Sequence, residues 1–372
     1  MKVLHLFSNS KWTGPAEPAL NLCLALRELG VDVDFACAPG RPDVPNKIVE
    51  TARDRGLEPV LRFRLDKHYN PFFNVLDARA LARFLRGRPY DVIHCHLDND
   101  HRIAAALPAA KRPPIVRSSY TGTGFSTRRE GRLLHSASLV LQPSSMALEH
   151  DARTHGYPRE RMHLVAGAVD TVRFDPARET PDGRRRLNLP PEAVLIGIVA
   201  RMQTHRHYED LLEAFRRLRQ DSTSAHLVII GRGTRQEEVA RRPVRELGLE
   251  SCVHFTGYLA GEDYVGMLRA LDFAVFLVPG SDGTCRAVRE LLAMGKPVIA
   301  AARGMLPEIV THESDGLVFD GSVPALHTDL LRLTQVPQER RHFGKAAREK
   351  ALRDYALPVQ AERVKRLYAC LG

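Results

Sequence analysis

Two doubly wound α/β domains facing a cleft are what this chain's sequence predicts. Three observations carry that expectation. At 372 residues the chain is longer than one ordinary core uses. Short apolar runs of strand type alternate with amphipathic runs of helix type along its length. A polar, charged, proline-bearing stretch near the middle, TVRFDPARETPDGRRRLNLP, interrupts that alternation.

The elements follow in order. KVLHLF, residues 2–7, is a buried strand, and SNSKWTGPAE after it is a polar loop. PALNLCLALRELG has helical periodicity and a glycine stop. VDVDFACAPG alternates and then turns, as a second strand does. NVLDARALARFLR is a helix leading through GRPY to the strand DVIHCH. AALPAAKRPPIVRSS reads as helix, proline break and strand, RLLHSASLVLQPS as helix then strand, and RMHLVAGAVD closes the first half. After the interruption the pattern restarts with AVLIGIVARM, a nearly continuous apolar strand. The helix YEDLLEAFRRLRQ, the strands AHLVIIGRG and VHFTGY, the helix EDYVGMLRA and the strands LDFAVFLV, PVIAA and GLVFD follow, with helices from about residue 323 to 366. The expected boundaries are a first domain at 1–172, a linker at 173–190, a second domain at 191–350 and a C-terminal helix at 351–372 that crosses back to the first domain.

Composition is globular, and a net charge of +10 directs attention to anionic partners: phosphorylated small molecules, anionic glycans or an anionic membrane surface. Nucleic acid is not expected, because no recognition motif or aromatic platform accompanies the charge. The six cysteines form no close pair and read as reduced thiols of a cytoplasmic protein. The N terminus has too short an apolar run for a signal peptide, and no stretch is apolar for long enough to span a bilayer.

Open α/β sheets bind ligands beyond the carboxyl ends of their strands, and the informative residues gather there. Arg201 follows directly on a strand and Arg206 lies five residues on. Two guanidinium groups so placed can grip a diphosphate through charge-assisted contacts; solvated arginines are the plainer alternative. His205 and His207 read as surface histidines rather than a metal pair. Gly231 and Gly233, after LVII, permit a tight turn and close approach of a ligand, but the third glycine of a dinucleotide fingerprint is missing. Gly14 sits in the loop before the first helix, where backbone N–H groups and the helix N terminus favour phosphate, and Glu17 fits the first helical turn. In GSDGTCRAVRELLAMGKPVIA, Asp282 opens a loop, a helix starts near Cys285, and Glu290 lies within it. The N–H groups near Gly283, Thr284, Cys285 and Arg286 can take phosphate, while the two acids accept hydrogen bonds from sugar hydroxyls. No acid pair of the D-x-D kind is assigned to the strand-end loops, and metal independence is expected.

The segments DGTCRAVRELLAMGKPVIA, ARMQTHRH, GMLPEIV with DGLVF, and RMHLVAGAVD together resemble the retaining glycosyltransferases of family 4, the "group 1" transferases. The resemblance runs over nearly the full length and is strongest from Gly197 to Phe319. It implies the GT-B fold: two Rossmann-like doubly wound parallel-sheet domains. It also implies a reaction in which a sugar moves from a UDP- or GDP-linked donor to a hydroxyl of a glycan or glycolipid, as in cell-envelope or lipopolysaccharide synthesis. No permanently bound cofactor is implied. Arg201 and Arg206 then resemble the pair that holds the donor diphosphate, Glu290 the ribose acid, and Asp282 the acid on the donor sugar. Gly257 and Tyr258 would border the base, and His96 would face the acceptor.

The chain departs from the family pattern. Asp282 replaces the usual Glu, Cys285 a glycine, Arg206 a lysine, the N-terminal Gly-Gly is Gly14-Pro15, and Tyr120 stands where a histidine is frequent. These departures keep open a second reading, a catalytically degenerate domain that binds or scaffolds. Two basic and apolar stretches, 60–73 and 122–135, are candidates for contact with an acceptor or the anionic inner membrane face; Phe72, Phe73 and Phe125 within them fit either core or surface anchors.

Overall fold

The structure, a computed structural model, describes residues 1–40, 44–279 and 285–371. Within them the chain forms two compact units, each built on a six-stranded parallel sheet. The first unit holds the described residues from Met1 to Ala168 and those from Leu357 onward, while the second holds the described residues between Val169 and Ala356.

In the first unit the strands are β1 (Lys2–Phe7), β2 (Asp32–Cys37), β3 (Val92–Cys95), β4 (Ile115–Ser118), β5 (Leu139–Gln142) and β6 (Met162–Leu164), in the order β2-β1-β3-β4-β5-β6. Six helices connect them: α1 (Ala16–Glu28), α2 (Lys47–Asp54), α3 (Pro71–Leu85), α4 (Asp98–Ala105), α5 (Arg128–Leu134) and α6 (Ser145–His155). Crossovers of this kind are what parallel neighbours require. They cover both faces of the sheet, which is why β3, β4 and β5 are buried at every position rather than alternating. One core, around Phe7, Leu20, Leu26 and Phe35, lies under α1 and α2, and a second, around Leu6, Ile93, Phe84 and Tyr157, fills the other face.

The second unit repeats the plan with β7 (Val194–Val199), β8 (Ala225–Ile230), β9 (Val253–Gly257), β10 (Phe273–Phe276), β11 (Val298–Ala301) and β12 (Gly316–Phe319), ordered β12-β11-β10-β7-β8-β9. Its helices are α7 (Gly183–Arg186), α8 (Tyr208–Asp221), α9 (Arg242–Glu246), α10 (Gly261–Ala270), α11 (Arg286–Ala293), α12 (Leu306–Ile309), α13 (Val323–Gln335) and α14 (Pro337–Lys350). The chain builds outward from β7 to β9, then returns to lay β10 beside β7, with Phe273 opposite Ile196. That reversal is a switch point: the loops after β7 and β10 leave the sheet side by side and in opposite senses, opening a crevice at its carboxyl edge.

One boundary differs from expectation in detail. The stretch 173–190, whose composition reads as a linker, belongs to the second unit. Its short α7 lies on α10, where a Cβ on Gly183 would come within 2.8 Å of the Ala270 Cβ and one on Gly266 within 2.2 Å of the Pro181 carbonyl oxygen. Arg348 on α14 ties the same segment down through the carbonyls of Thr171 and Phe174 and the Asp175 carboxylate. Close backbone packing of this kind leaves no trace in hydrophobic periodicity. The C-terminal helix α15 (Leu357–Ala369) packs against α1 of the first unit, burying Ala361, Val364 and Tyr368. Burial of Val364 and Tyr368 contributes about 2 kcal/mol each, and Gln360 and Lys365 donate to the carbonyls of Ala166 and Leu29 at 2.7 and 2.9 Å.

Candidate functional site

At the carboxyl edge of the second sheet, the loop after β7 is shaped by its neighbours. Gly231 has φ 140°, and a Cβ there would meet the Ala200 carbonyl oxygen at 2.4 Å; a Cβ on Gly233 would meet the Met202 carbonyl oxygen at 2.0 Å. Sequence reasoning expects these glycines to admit a ligand. The close approach they permit is instead that of backbone 200–202, so the loop after β8 serves as a bed for the loop that carries the arginines. Met202 is buried, and the Tyr208 hydroxyl donates to the Ala200 carbonyl, closing the loop from the other side.

Arg201 leaves this loop exposed to solvent. Arg206 is 5% exposed and donates through Nη1 to the Pro279 carbonyl at 2.5 Å, reaching from the β7 loop to the β10 loop across the switch point. Arg303 braces the same β10 loop at the Leu277 carbonyl. Asp282, Gly283 and Thr284 lie outside the described residues. The chain resumes at Cys285, the N-cap of α11, with φ 50°. A left-handed backbone costs a non-glycine residue about 1–2 kcal/mol, which gives a physical reason for glycine being usual where this chain has cysteine. His207 is also left-handed, with φ 56°; its Nδ1 pairs with Asp210 in the first turn of α8 at 3.0 Å, while His205 is exposed.

Glu290 lies one helical turn beyond Arg286, whose Nε is 3.4 Å from its carboxylate. Glu290 is buried, and Tyr264 on α10 donates its hydroxyl to it at 2.6 Å. Burial and the neighbouring carboxylate push the Tyr264 phenol well above its ordinary range, so it stays a donor. The pair leaves a carboxylate of fixed orientation one turn into α11. On the same edge of the sheet Tyr258, after β9, is 69% exposed and lies beside Arg232, whose guanidinium is 5.4 Å from its ring centre. Gly257, with φ 69°, has open space around its Cβ position and accepts the Gly231 N–H at 2.9 Å.

In the first unit, Gly14 is exposed in the loop after β1, and Pro15 at φ −69° opens α1. Glu17 is in that helix's first turn, 4.0 Å from Arg55.

His96 requires a correction. Expected at a strand end facing an acceptor, it is fully buried, and both ring nitrogens are engaged: Nδ1 with the Tyr120 hydroxyl at 2.6 Å and Nε2 with His5 Nδ1 at 2.9 Å. His94 is buried on the same face, 4.5 Å away and nearly parallel, and bonds to Ser118 at 2.7 Å and to the Tyr368 hydroxyl on α15. Three buried imidazoles, on β1 and at β3, therefore stack inside the unit. Burial holds His94 and His96 well below the ordinary histidine range and His5 down to about 3, so all three are neutral at pH 7. Alternation along β3 placed His94 and His96 on one face; what it could not show was that Tyr368 of α15 closes over His94 and that Tyr120 and His5 engage His96.

An acid pair of the form D-x-D, passed over in the sequence, does follow β3. Asp100 accepts from the backbone N–H groups of Ser8 and Leu97 at 2.9 and 3.0 Å, and Asp98 accepts from buried Arg117 at 2.6 Å. These partners make the pair part of the fold's own support.

Both halves of the chain match known families: residues 13–173 match "Glycosyltransferase Family 4" and residues 179–350 match "Glycosyl transferases group 1". This chain is a glycosyltransferase of the GT-B fold. Among curated relatives, it is 26% identical over 318 residues to the D-inositol 3-phosphate glycosyltransferase of Corynebacterium efficiens, covering 78% of this transferase and 74% of that one. Its fold is shared with Anabaena HepE, solved with UDP, at a TM-score of 0.80, 16% identity and 100% coverage of both chains. The lipopolysaccharide outer core galactosyltransferase WaaB superimposes at 0.72, again with 16% identity and 100% coverage of both. In this transferase the residues that sequence reasoning missed are Tyr264, Arg232 and Arg303. Each is an isolated polar residue in an amphipathic helix or a loop, and its relevance comes only from packing beside a residue already singled out.

Proposed function

We propose that this glycosyltransferase transfers a sugar, with retention, from a UDP- or GDP-linked donor to a hydroxyl of a glycan or glycolipid of the cell envelope. The observation that carries the reading is Arg206. A buried guanidinium bonded to Pro279 stands at the sheet's switch point, on the edge that carries Arg201. Arg201 and Arg206 hold the diphosphate, Glu290 takes the ribose hydroxyls, and Gly257 and Tyr258 border the base. Asp282 and the backbone at Gly283, Thr284, Cys285 and Arg286 receive the donor sugar and phosphates. His96 is left out of this set.

In the reaction, the bond from the sugar's anomeric carbon to the phosphate oxygen breaks as a bond to the acceptor oxygen forms on the same face. The acceptor proton passes to the departing phosphate. The protein supplies positive charge for the leaving group and holds the acceptor hydroxyl beside the departing phosphate, on one face of the sugar. HepE was solved with UDP, which favours a UDP-linked donor, and the D-inositol 3-phosphate glycosyltransferase favours an acceptor bearing phosphate. A cytoplasmic enzyme making peripheral contact with an anionic membrane fits the basic balance of +10. No helix among the described residues is long and apolar enough to cross a membrane.

Incubation with UDP-glucose and with GDP-mannose, following release of nucleoside diphosphate and the anomeric configuration of the product, tests the proposal. Turnover with an inverted product removes the retaining mechanism. Binding without turnover favours the scaffold reading.

A further inference from the structure

Exposed apolar side chains are not spread evenly over this protein. Of the eleven large hydrophobic residues that are exposed among the described residues, four fall within eight positions: Tyr69, Phe72, Val75 and Leu76. They lie at the start of α3, beside a groove of about 640 Å³ that α3 forms with α4, the turn after it and α5. That volume is in the range of sites that take small ligands or lipid chains, about 300–1,000 Å³.

The groove has a simple origin. α3 turns Asn74, Asp77, Leu81 and Phe84 inward to the core, and the Asn74 side chain is bonded to Asn99 of α4 at 2.7 Å, which fixes the two helices side by side. The neighbouring stripe of α3, Pro71, Val75, Ala78 and Ala82, faces Ala105 and Leu107 across the gap. The spacing of three and four residues keeps this stripe in line, and the alanines leave the gap unfilled. Its lining is apolar, but two cations, Arg79 and Arg102, belong to it, and Tyr69 lies 5.8 Å from the Arg102 guanidinium. Among the described residues neither arginine has a carboxylate within ion-pair distance. An apolar slot with two cations, neither in a direct ion pair and Arg102 one turn from Asp98 on α4, and an aromatic lip is complementary to an acyl chain joined to an anionic head group.

We propose that this groove docks the first unit on an anionic bilayer. It takes one acyl chain of a lipid between α3 and α4, with Arg79 and Arg102 on the lipid phosphate and Tyr69 and Phe72 at the interface. The proposal rests on the membrane contact in the functional reading and gives it a site, an orientation and a lipid class. It does not depend on which sugar is transferred.

The test uses the full chain with vesicles of phosphatidylglycerol and of phosphatidylcholine, measuring bound fraction by sedimentation. The protein should partition to phosphatidylglycerol. Arg79→Gln with Arg102→Gln should weaken that binding about thirtyfold, from about fivefold per cation. Ala78→Leu with Ala82→Leu fills the groove while adding apolar surface. If the groove accepts a chain, this variant binds several-fold more weakly; if the surface is merely greasy, it binds as well or better, and the proposal fails. Phosphatidylglycerol carrying a photoreactive group in one acyl chain should label residues 71–82 and 105–108, and labelling only elsewhere would overturn the assignment. Self-association through this face, abolished by the groove-filling pair in the absence of lipid, would likewise replace the lipid with a second copy of the chain. UDP affinity, read by calorimetry on the same variants, should stay unchanged. Vesicle binding without nucleotide-sugar turnover would sink the transferase reading alone, and turnover without groove-dependent vesicle binding would sink this inference alone.

Discussion

Lowering the pH from 6 to 5 should cost this protein much of the stability of its first unit. His5, His94, His96 and His101 are all buried there, and desolvation holds each below its ordinary range, His5 to about 3. In the unfolded chain each takes up a proton near pH 6.5. Below that value the unfolded state binds four more protons than the folded one at these sites, so stability falls as pH falls. Asp100 acts in the opposite sense. Burial raises its carboxyl to about 7, so between pH 6 and 5 the folded state holds a proton there that the unfolded state has released. These five groups alone balance to about three protons, or about 4 kcal/mol per pH unit, against a total domain stability of about 5–15 kcal/mol; Asp77, Asp98 and Asp151, whose carboxyls burial also raises, lessen the slope, and His163, which burial lowers, adds to it. Urea unfolding at a series of pH values, followed by fluorescence, measures this. Trp12, the chain's single tryptophan, lies in the first unit and packs on its core, so the signal reports the right region. His5→Phe should flatten the slope by about one proton, about 1.4 kcal/mol per pH unit. A stability that is flat between pH 6 and 5, or a slope that His5→Phe leaves unchanged, would refute the neutral, stacked imidazoles.

Further outcomes follow for the second unit. Tyr264→Phe removes the hydroxyl that Glu290 accepts at 2.6 Å; it should cost about 1–3 kcal/mol in unfolding free energy and weaken UDP binding, while Glu290→Gln should weaken UDP more than the free diphosphate, both read by calorimetry. Gly233→Ala places a Cβ 2.0 Å from the Met202 carbonyl oxygen; the displaced β7 loop should lower the melting temperature and reduce UDP affinity together, and an unperturbed affinity would separate that loop from the site.

Much of this architecture was open to a reader of the sequence. KVLHLF became β1 at Lys2–Phe7, and the apolar restart after the charged stretch became β7. Buried parallel strands declare themselves as short continuous apolar runs, and twelve such strands suffice to imply two sheets. The crossing of α15 to the first unit was legible only through family resemblance, because amphipathicity shows that a helix has a buried face and not what that face meets. The same limit explains His96: alternation gave its face, while its partners came from elsewhere in the chain, Tyr120 after β4 and His5 on β1. Gly231 and Gly233 carried the signal of close approach, and the approach seen is to backbone 200–202; a glycine pattern cannot distinguish a ligand from another loop's backbone. The groove was equally silent, because alanines at 78, 82 and 105 look in sequence like ordinary helix formers.

The measurement that bears most directly on the function is nucleoside diphosphate binding by the intact chain and by Arg206→Ala. The account predicts saturable binding of UDP or GDP to the wild type, and a loss of about thirtyfold or more in the variant, since a charge-assisted contact to phosphate is worth about 2 kcal/mol. Arg206→Lys, which keeps the charge, should retain most of the affinity. Equal affinity in wild type and Arg206→Ala, or no binding of either nucleotide by the wild type, would contradict it.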